Sequence, residues 1–199
     1  MSFGDDVIKY AGKYLGVPYA WGGGNNDGPT RGIRDGGIAD RFGDFNKVGF
    51  DCSGLTKYAI FQASGGQISL PHRADLQRRL GEEVAGSPAP GDLIAFSRDG
   101  VFYHHIGIYL GNGMLRNAPQ SGGTVSDMPL SNWGNEKQAI RRFGTIGTKT
   151  DRPSDPAKPA NNAVPDTSDK DESIGGTVFL VVIAGIAIIG LVLIGMGGS

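Results

Sequence analysis

The sequence predicts an α+β domain in which helices come first and a mostly antiparallel sheet follows. Apolar residues recur at helical spacing as far as residue 80, and from residue 91 they alternate with period two between glycine-rich turns. The strands also follow one another too closely for crossover helices, which disfavours a parallel doubly wound sheet. Glycine supplies the turns: 34 of 199 residues, more than twice the usual share of roughly 7%.

The first helix places Val7, Ala11, Tyr14 and Leu15 on one face and stops at Gly16. A second is expected from Cys52 to Ala63, with Leu55, Tyr58, Ala59 and Gln62 on one face. Asp51 is placed to cap it and Gly65-Gly66 to end it. A shorter third helix fits Arg73–Leu80. Strands are expected at 91–97, 104–111, 113–119 and 138–144.

Composition sets outer limits. With 19 basic and 20 acidic residues the formal charge is −1, so a strongly basic nucleic-acid binder is not the default. One cysteine excludes a disulfide framework and a multi-cysteine zinc site. No ligand cluster calls for a metal or other cofactor.

The chain divides into three parts: a working domain at 1–147, a tether at 148–173 and an anchor at 174–199. The tether holds four prolines and ten charges but one aliphatic side chain larger than alanine, too little to offset the entropy of folding. Residues 177–196, TVFLVVIAGIAIIGLVLIGM, span a bilayer core of roughly 30 Å as a single helix at about 1.5 Å per residue. Gly185, Gly190 and Gly195 rotate around that helix and make no dimerisation stripe. No signal peptide is expected at the N-terminus, where Asp5 and Asp6 occupy the place of a positive n-region.

Cys52 opens the second helix, where unpaired N–H groups and the helix dipole favour an anion, so a thiolate nucleophile is one reading. A buried structural thiol is the other, and position alone does not separate them. His104 and His105 begin a strand and point to opposite faces. His105 shares its face with Gly107, which leaves room for the Cys52 helix, and is the better base. His104 is expected at a rim or in packing, and His72 at the surface or a cap. Asn117, on the next strand across a tight turn, is a candidate to orient the imidazole.

Five stretches occur in order: YLGVPYAWGGG (14–24), GFDCSGLTKYA (49–59), LPHRADLQ (70–77), PGDLIAF (90–96) and HIGIYLGNG (105–113), followed by NAP (117–119). Together they resemble the NlpC family of bacterial cell-wall cysteine peptidases over residues 5–145. The resemblance implies a papain-like core and hydrolysis of peptidoglycan stem peptides, usually between D-γ-glutamate and the diamino acid. It also implies Cys52 as nucleophile, His105 as base and Asn117 as the orienting residue, at a position where many members carry histidine. Tyr19 would offer its hydroxyl to the oxyanion beside the Cys52 N–H, and Asp51 and Ser53 would line the substrate subsite.

Residues 25–48 exceed the short loop that most relatives have there. They lie between two active-site motifs and are expected to border the cleft, as a solvated loop or as a lid that selects substrate. The anchor's flanks pose a conflict: Lys158 and Lys170 precede it and nothing basic follows. The positive-inside rule then faces the enzyme to the cytosol, whereas peptidoglycan is outside. Carriage in a virus particle, or insertion with the enzyme outside, would resolve it. Two alternatives stand beside a peptidase. A Cys–His acyltransferase is disfavoured because in those the histidine precedes the cysteine; a non-catalytic, membrane-tethered wall binder keeps the fold without the chemistry.

Overall fold

The computed structural model describes residues 1–144. The expected tether and membrane anchor lie outside the described residues, among which no helix is long and apolar enough to cross a membrane.

Helix α1 (Phe3–Gly12) begins with a capping box: the Asp5 N–H donates to Ser2 Oγ at 3.2 Å, and the Ser2 N–H donates to the Asp5 carboxylate at 2.8 Å. It buries Val7, Tyr10 and Ala11. The helix is shorter than its apolar period suggests. Lys13 caps it, Tyr14 packs edge-on against Phe50 and Tyr58, and Leu15 is left 48% exposed.

The segment between the first two motifs is folded. Strand β1 (Thr30–Arg31) pairs antiparallel with β2 (Val48–Gly49), and between them run α2 (Ile38–Arg41) and a 3₁₀ turn at Asp44–Asn46. Asp44 is fully buried and accepts from Lys47 Nζ at 2.8 Å and Ser121 Oγ at 2.6 Å, which ties the excursion to the loop after the NAP motif.

Helix α3 (Cys52–Ala63) starts and ends where expected. Asp51 caps it, and Ser64 closes it ahead of Gly65 and Gly66, both at positive φ. The third helix is reduced to one turn, α4 (Ala74–Gln77), with Arg73 at its N-cap. Arg78–Leu80 are drawn into the turn that passes through Gly81 (φ +77°) to β3 (Glu82–Glu83).

Strands β4 (Leu93–Ser97), β5 (His105–Gly111), β6 (Met114–Asn117), β7 (Ser126–Pro129) and β8 (Lys137–Arg142) join β3 in one sheet, ordered β3-β8-β4-β5-β6-β7. All neighbours in it are antiparallel. The edges β3 and β7 escape a period-two reading because Glu-Glu and Ser-Asp-Met-Pro contain no alternation. One face of the sheet (Leu93, Ala95, Ile106, Ile108) packs with residues of α1 and α3 in the main core. The other carries a smaller cluster of Ile94, Phe96 and Leu115, covered by Leu130 and Trp133.

This arrangement corrects the argument that selected His105. Gly107 does not make room for the Cys52 helix: a Cβ there would meet the Leu115 side chain at 2.8 Å, on the face away from α3. Ile106 and Ile108 face the helix instead.

Two motif glycines set how closely the backbone segments around Cys52 approach. A Cβ on Gly54 would lie 2.1 Å from the Gly23 carbonyl oxygen, and one on Gly49 would lie 1.9 Å from that of Pro18. Both obstacles are backbone and cannot swing aside. Gly54→Ala should therefore lose about 2 kcal/mol, overpacking outweighing the gain in helix propensity. Gly86→Ala, whose Cβ meets nothing within 4 Å, should stay within about 0.5 kcal/mol; urea denaturation of both variants compares them.

Candidate active site

A cleft of about 950 Å³ lies over the N-terminus of α3, and Tyr19, Asp51, Cys52, Ser53 and His105 all line it. Asn117 stands behind His105. They come from four pieces of local structure. Cys52 is the first residue of α3 because Asp51 caps the helix, its Oδ1 accepting the Gly54 N–H at 2.7 Å. His105 is the first residue of β5, and Asn117 the last of β6. Tyr19 is held by its N–H to the Gly123 carbonyl and by a parallel bridge to Phe50.

The His105–Asn117 contact fixes a tautomer. His105 Nε2 lies 3.0 Å from Asn117 Oδ1, and Asn117 Nδ2 donates to the Ser126 carbonyl at 3.5 Å. An amide oxygen only accepts, so Nε2 carries the proton and Nδ1 keeps its lone pair. Both residues are buried. Burial pushes the His105 pKa down to about 3, against the raising effect of the Asn117 hydrogen bond. The imidazole therefore rests neutral, as an acceptor.

The backbone N–H groups of Ile106, Ser53 and Cys52 itself lie near the Cys52 sulfur and favour a negative charge on it. The Ile106 contact brings the start of β5 against the start of α3, next to His105. Of the two readings of Cys52, the protonated thiol is the one favoured here. Burial first, and the Asp51 carboxylate second, push the thiol well above its ordinary range, and the N–H groups offset only part of that. A helix N-terminus lowers a thiol's pKa when the sulfur stays solvated; Cys52 is partly buried in the cleft wall. The Tyr19 hydroxyl is likewise raised, by burial and then by the negative charge a Cys52 thiolate would carry, so it remains a protonated donor facing that sulfur.

Asp51 is a convergence point. Besides Gly54, its Oδ1 accepts from Ser53 Oγ at 2.9 Å and faces His72 Nε2 at 2.9 Å, while Oδ2 accepts the Gly22 N–H at 3.1 Å. Ser53 thus borders the cleft with its hydroxyl committed to Asp51. His72 is exposed, as expected, but it also lines the cleft against Asp51. Its motif, LPHR, held that signal, because Gln77 pulls the segment inward with bonds to the Ser53 and Pro71 carbonyls, each at 2.8 Å.

His104 sits at the rim as expected, its Nε2 2.9 Å from Glu136 Oε2. Trp133 has no signal in the sequence, yet its indole stacks on the His105 ring at 4.1 Å and 17°. The 25–48 segment borders the cleft as expected, contributing Ile33, Asp35, Ile38, Ala39 and Phe42. Ile33, Ile38 and Phe42 are more than half exposed there, at 56%, 61% and 52%. Among the described residues no group of three or more His, Cys, Asp or Glu could hold a metal.

Comparison with known proteins agrees with this geometry. Residues 16–142 match the model of the NlpC/P60 family. The peptidoglycan endopeptidase RipA of Mycobacterium tuberculosis is 38% identical over 136 residues, 68% of this chain and 26% of RipA. The bifunctional muramidase/DL-endopeptidase CwlT of Bacillus subtilis is 35% identical over 149 residues, 73% of this chain and 37% of CwlT. The chain thus spans well under half of either relative. Among solved structures, the peptidoglycan hydrolase RipB of M. tuberculosis superposes with a TM-score of 0.59 at 34% identity, covering 72% of this chain and 66% of that one. RipD of the same organism, described as a non-catalytic NlpC/p60 domain protein adapted to peptidoglycan binding, gives 0.58 at 29% identity, with 71% and 98% covered. The ordered motifs, the antiparallel sheet behind α3 and a family match running from before Tyr19 to the end of β8 lead to one assignment: this chain belongs to the NlpC/P60 family.

Proposed function

We propose that this chain is a cysteine endopeptidase that hydrolyses peptidoglycan stem peptides, at the bond between D-γ-glutamate and the diamino acid. The carrying observation is the His105 ring, with Nε2 tied to Asn117 and Nδ1 left as an acceptor, in the cleft that Cys52 also lines. The names of RipA and CwlT support the substrate and the DL-type bond. Cys52 Sγ gives its proton to His105 Nδ1 and attacks the amide carbonyl, forming the C–S bond. The Tyr19 hydroxyl and the Cys52 N–H hold the oxyanion. On its collapse the C–N bond breaks, and the imidazolium returns its proton to the leaving amine. Water then cleaves the thioester, with His105 again as base. The exposed apolar wall of Ile33, Ile38 and Phe42 supports the 25–48 segment as the part that selects substrate.

The test is mass spectrometry of products released from purified peptidoglycan by the full chain. New ends at D-glutamate and the diamino acid are expected, and none with Cys52→Ala. Tyr19→Phe should lose about 10²- to 10³-fold in rate, as for removal of one oxyanion donor. Activity equal to the parent would remove Tyr19 from the oxyanion site. Retention of the wall without new ends would instead support a binding role of the kind named for RipD.

His105 also governs acid stability. Its folded pKa of about 3 lies below the ordinary value of about 6.5 that it takes when unfolded. Between these values the unfolded chain binds a proton that the folded chain refuses. Stability therefore falls as pH drops through this window, at up to about 1.4 kcal/mol per pH unit. Urea denaturation at about pH 6.5 and about pH 5 should show a smaller loss for His105→Gln than for the parent; equal losses would contradict the buried neutral histidine.

The apolar run at 177–196 and the charged stretch before it support a further part of the reading: the domain is tethered to a bilayer, as a cellular envelope protein or in a virus particle. Carbonate-washed membranes should retain the full chain and release a chain ending at residue 173. Release of both would remove the anchor. Recovery from purified particles, but not from membranes of uninfected cells, is expected of the viral form.

A further inference from the structure

We infer that Trp133 is a positioning residue for His105, clamped over the imidazole by the Glu136–His104 pair, and that its ring face favours the imidazolium formed when Cys52 gives up its proton. The inference rests on the Cys–His reading above. The indole lies on the His105 ring with centroids 4.1 Å apart and planes at 17°. Phe96 stacks on the indole's ring system at 4.6 Å and 22°, while standing 6.0 Å from His105. The ring thus belongs to an ordered aromatic stack and not to loose packing.

What holds Trp133 there is not its own polar atom. Its indole Nε1 is buried with no hydrogen-bond partner among the described residues, a costly condition that a ring placed for its N–H would avoid. The segment is fixed from its neighbours. Trp133 ends a 3₁₀ turn at Leu130–Trp133, Leu130 joins the same apolar cluster, and the Glu136 N–H returns to the Trp133 carbonyl at 3.2 Å. Glu136 then grips the strand that carries the base: Oε2 is 2.9 Å from His104 Nε2, and Oε1 is 3.6 Å from Arg98 Nε.

The chemistry follows from the order of steps. A neutral imidazole in a desolvated site must become cationic on accepting the thiol proton, and burial opposes that charge. Asn117 supplies no compensating charge. The negative face of an indole, parallel to the ring and close to it, attracts the cation more than the neutral form. Other charged or titratable groups near His105 are Asp51 and Cys52 on the α3 side and His104, Glu136 and Arg98 on the rim side. None of these is stacked on the ring.

The experiment follows alkylation of Cys52 in the full chain by iodoacetamide near neutral pH, a rate that reports thiolate formed against the imidazolium and needs no wall substrate. Trp133→Leu keeps an apolar cover without an aromatic face, and should slow alkylation about tenfold. Trp133→Phe keeps the face and should restore most of the rate. Glu136→Gln leaves the indole and its cluster intact and should slow alkylation several-fold by loosening the clamp. Parental rates in Trp133→Leu would overturn the inference, as would equal slowing in the Leu and Phe variants. Should Trp133→Leu fail to fold, Glu136→Gln decides: an unchanged rate overturns the clamp. Stem-peptide cleavage, assayed separately, distinguishes this from a failure of the peptidase reading, because alkylation can follow the expected pattern even where no stem is cut.

Discussion

The Asp51 carboxylate is the constraint on which the site depends. Its two oxygens take the Gly54 N–H at the start of α3, the Ser53 hydroxyl, the His72 ring nitrogen and the Gly22 N–H of the glycine-rich loop. One side chain therefore caps the Cys52 helix and joins it to two other parts of the cleft. Charged acceptors make the stronger hydrogen bonds. The glycines allow these segments to come that close: Gly54 against Gly23, and Gly49 against Pro18, leave no room for a Cβ. The carboxylate has an electrostatic cost, since it also pushes the Cys52 thiol up.

That cost shapes the chemistry. Desolvation and Asp51 hold Cys52 protonated, desolvation holds His105 neutral, and Asn117 selects the tautomer whose free nitrogen can accept. The resting pair is poised to separate charge, not already ionised. In the proposed mechanism, charge separation then falls to the Tyr19 hydroxyl and the Cys52 N–H for the oxyanion and to the stacked indole for the imidazolium.

Much of this was legible in the chain. The period change near residue 91 predicted helices before strands, Asp51 and Gly65-Gly66 bracketed α3 correctly, and the ordered motifs pointed to the family and to Cys52, His105 and Asn117. The reason given for His105 was nevertheless wrong, because strand alternation cannot tell which face of a sheet a helix covers; Gly107 accommodates Leu115. The state of the thiol stayed open for a related reason: a helix N-terminus is visible in sequence, but burial is not. The residues missed, His72 and Trp133, reach the site from a turn and a 3₁₀ segment, where no period exists to aim a side chain. The edge strands β3 and β7 were missed because their residues carry no apolar alternation.

The most direct measurement is a titration of the Cys52 thiolate by its ultraviolet absorbance in the full chain, with Cys52→Ala subtracted. The account predicts no thiolate signal through the neutral range and ionisation above the ordinary thiol value of about 8.5, since burial and Asp51 both oppose the anion. A thiolate plateau already present at neutral pH would contradict it. That result would mean a preformed thiolate–imidazolium pair, with a solvated sulfur and a charged His105.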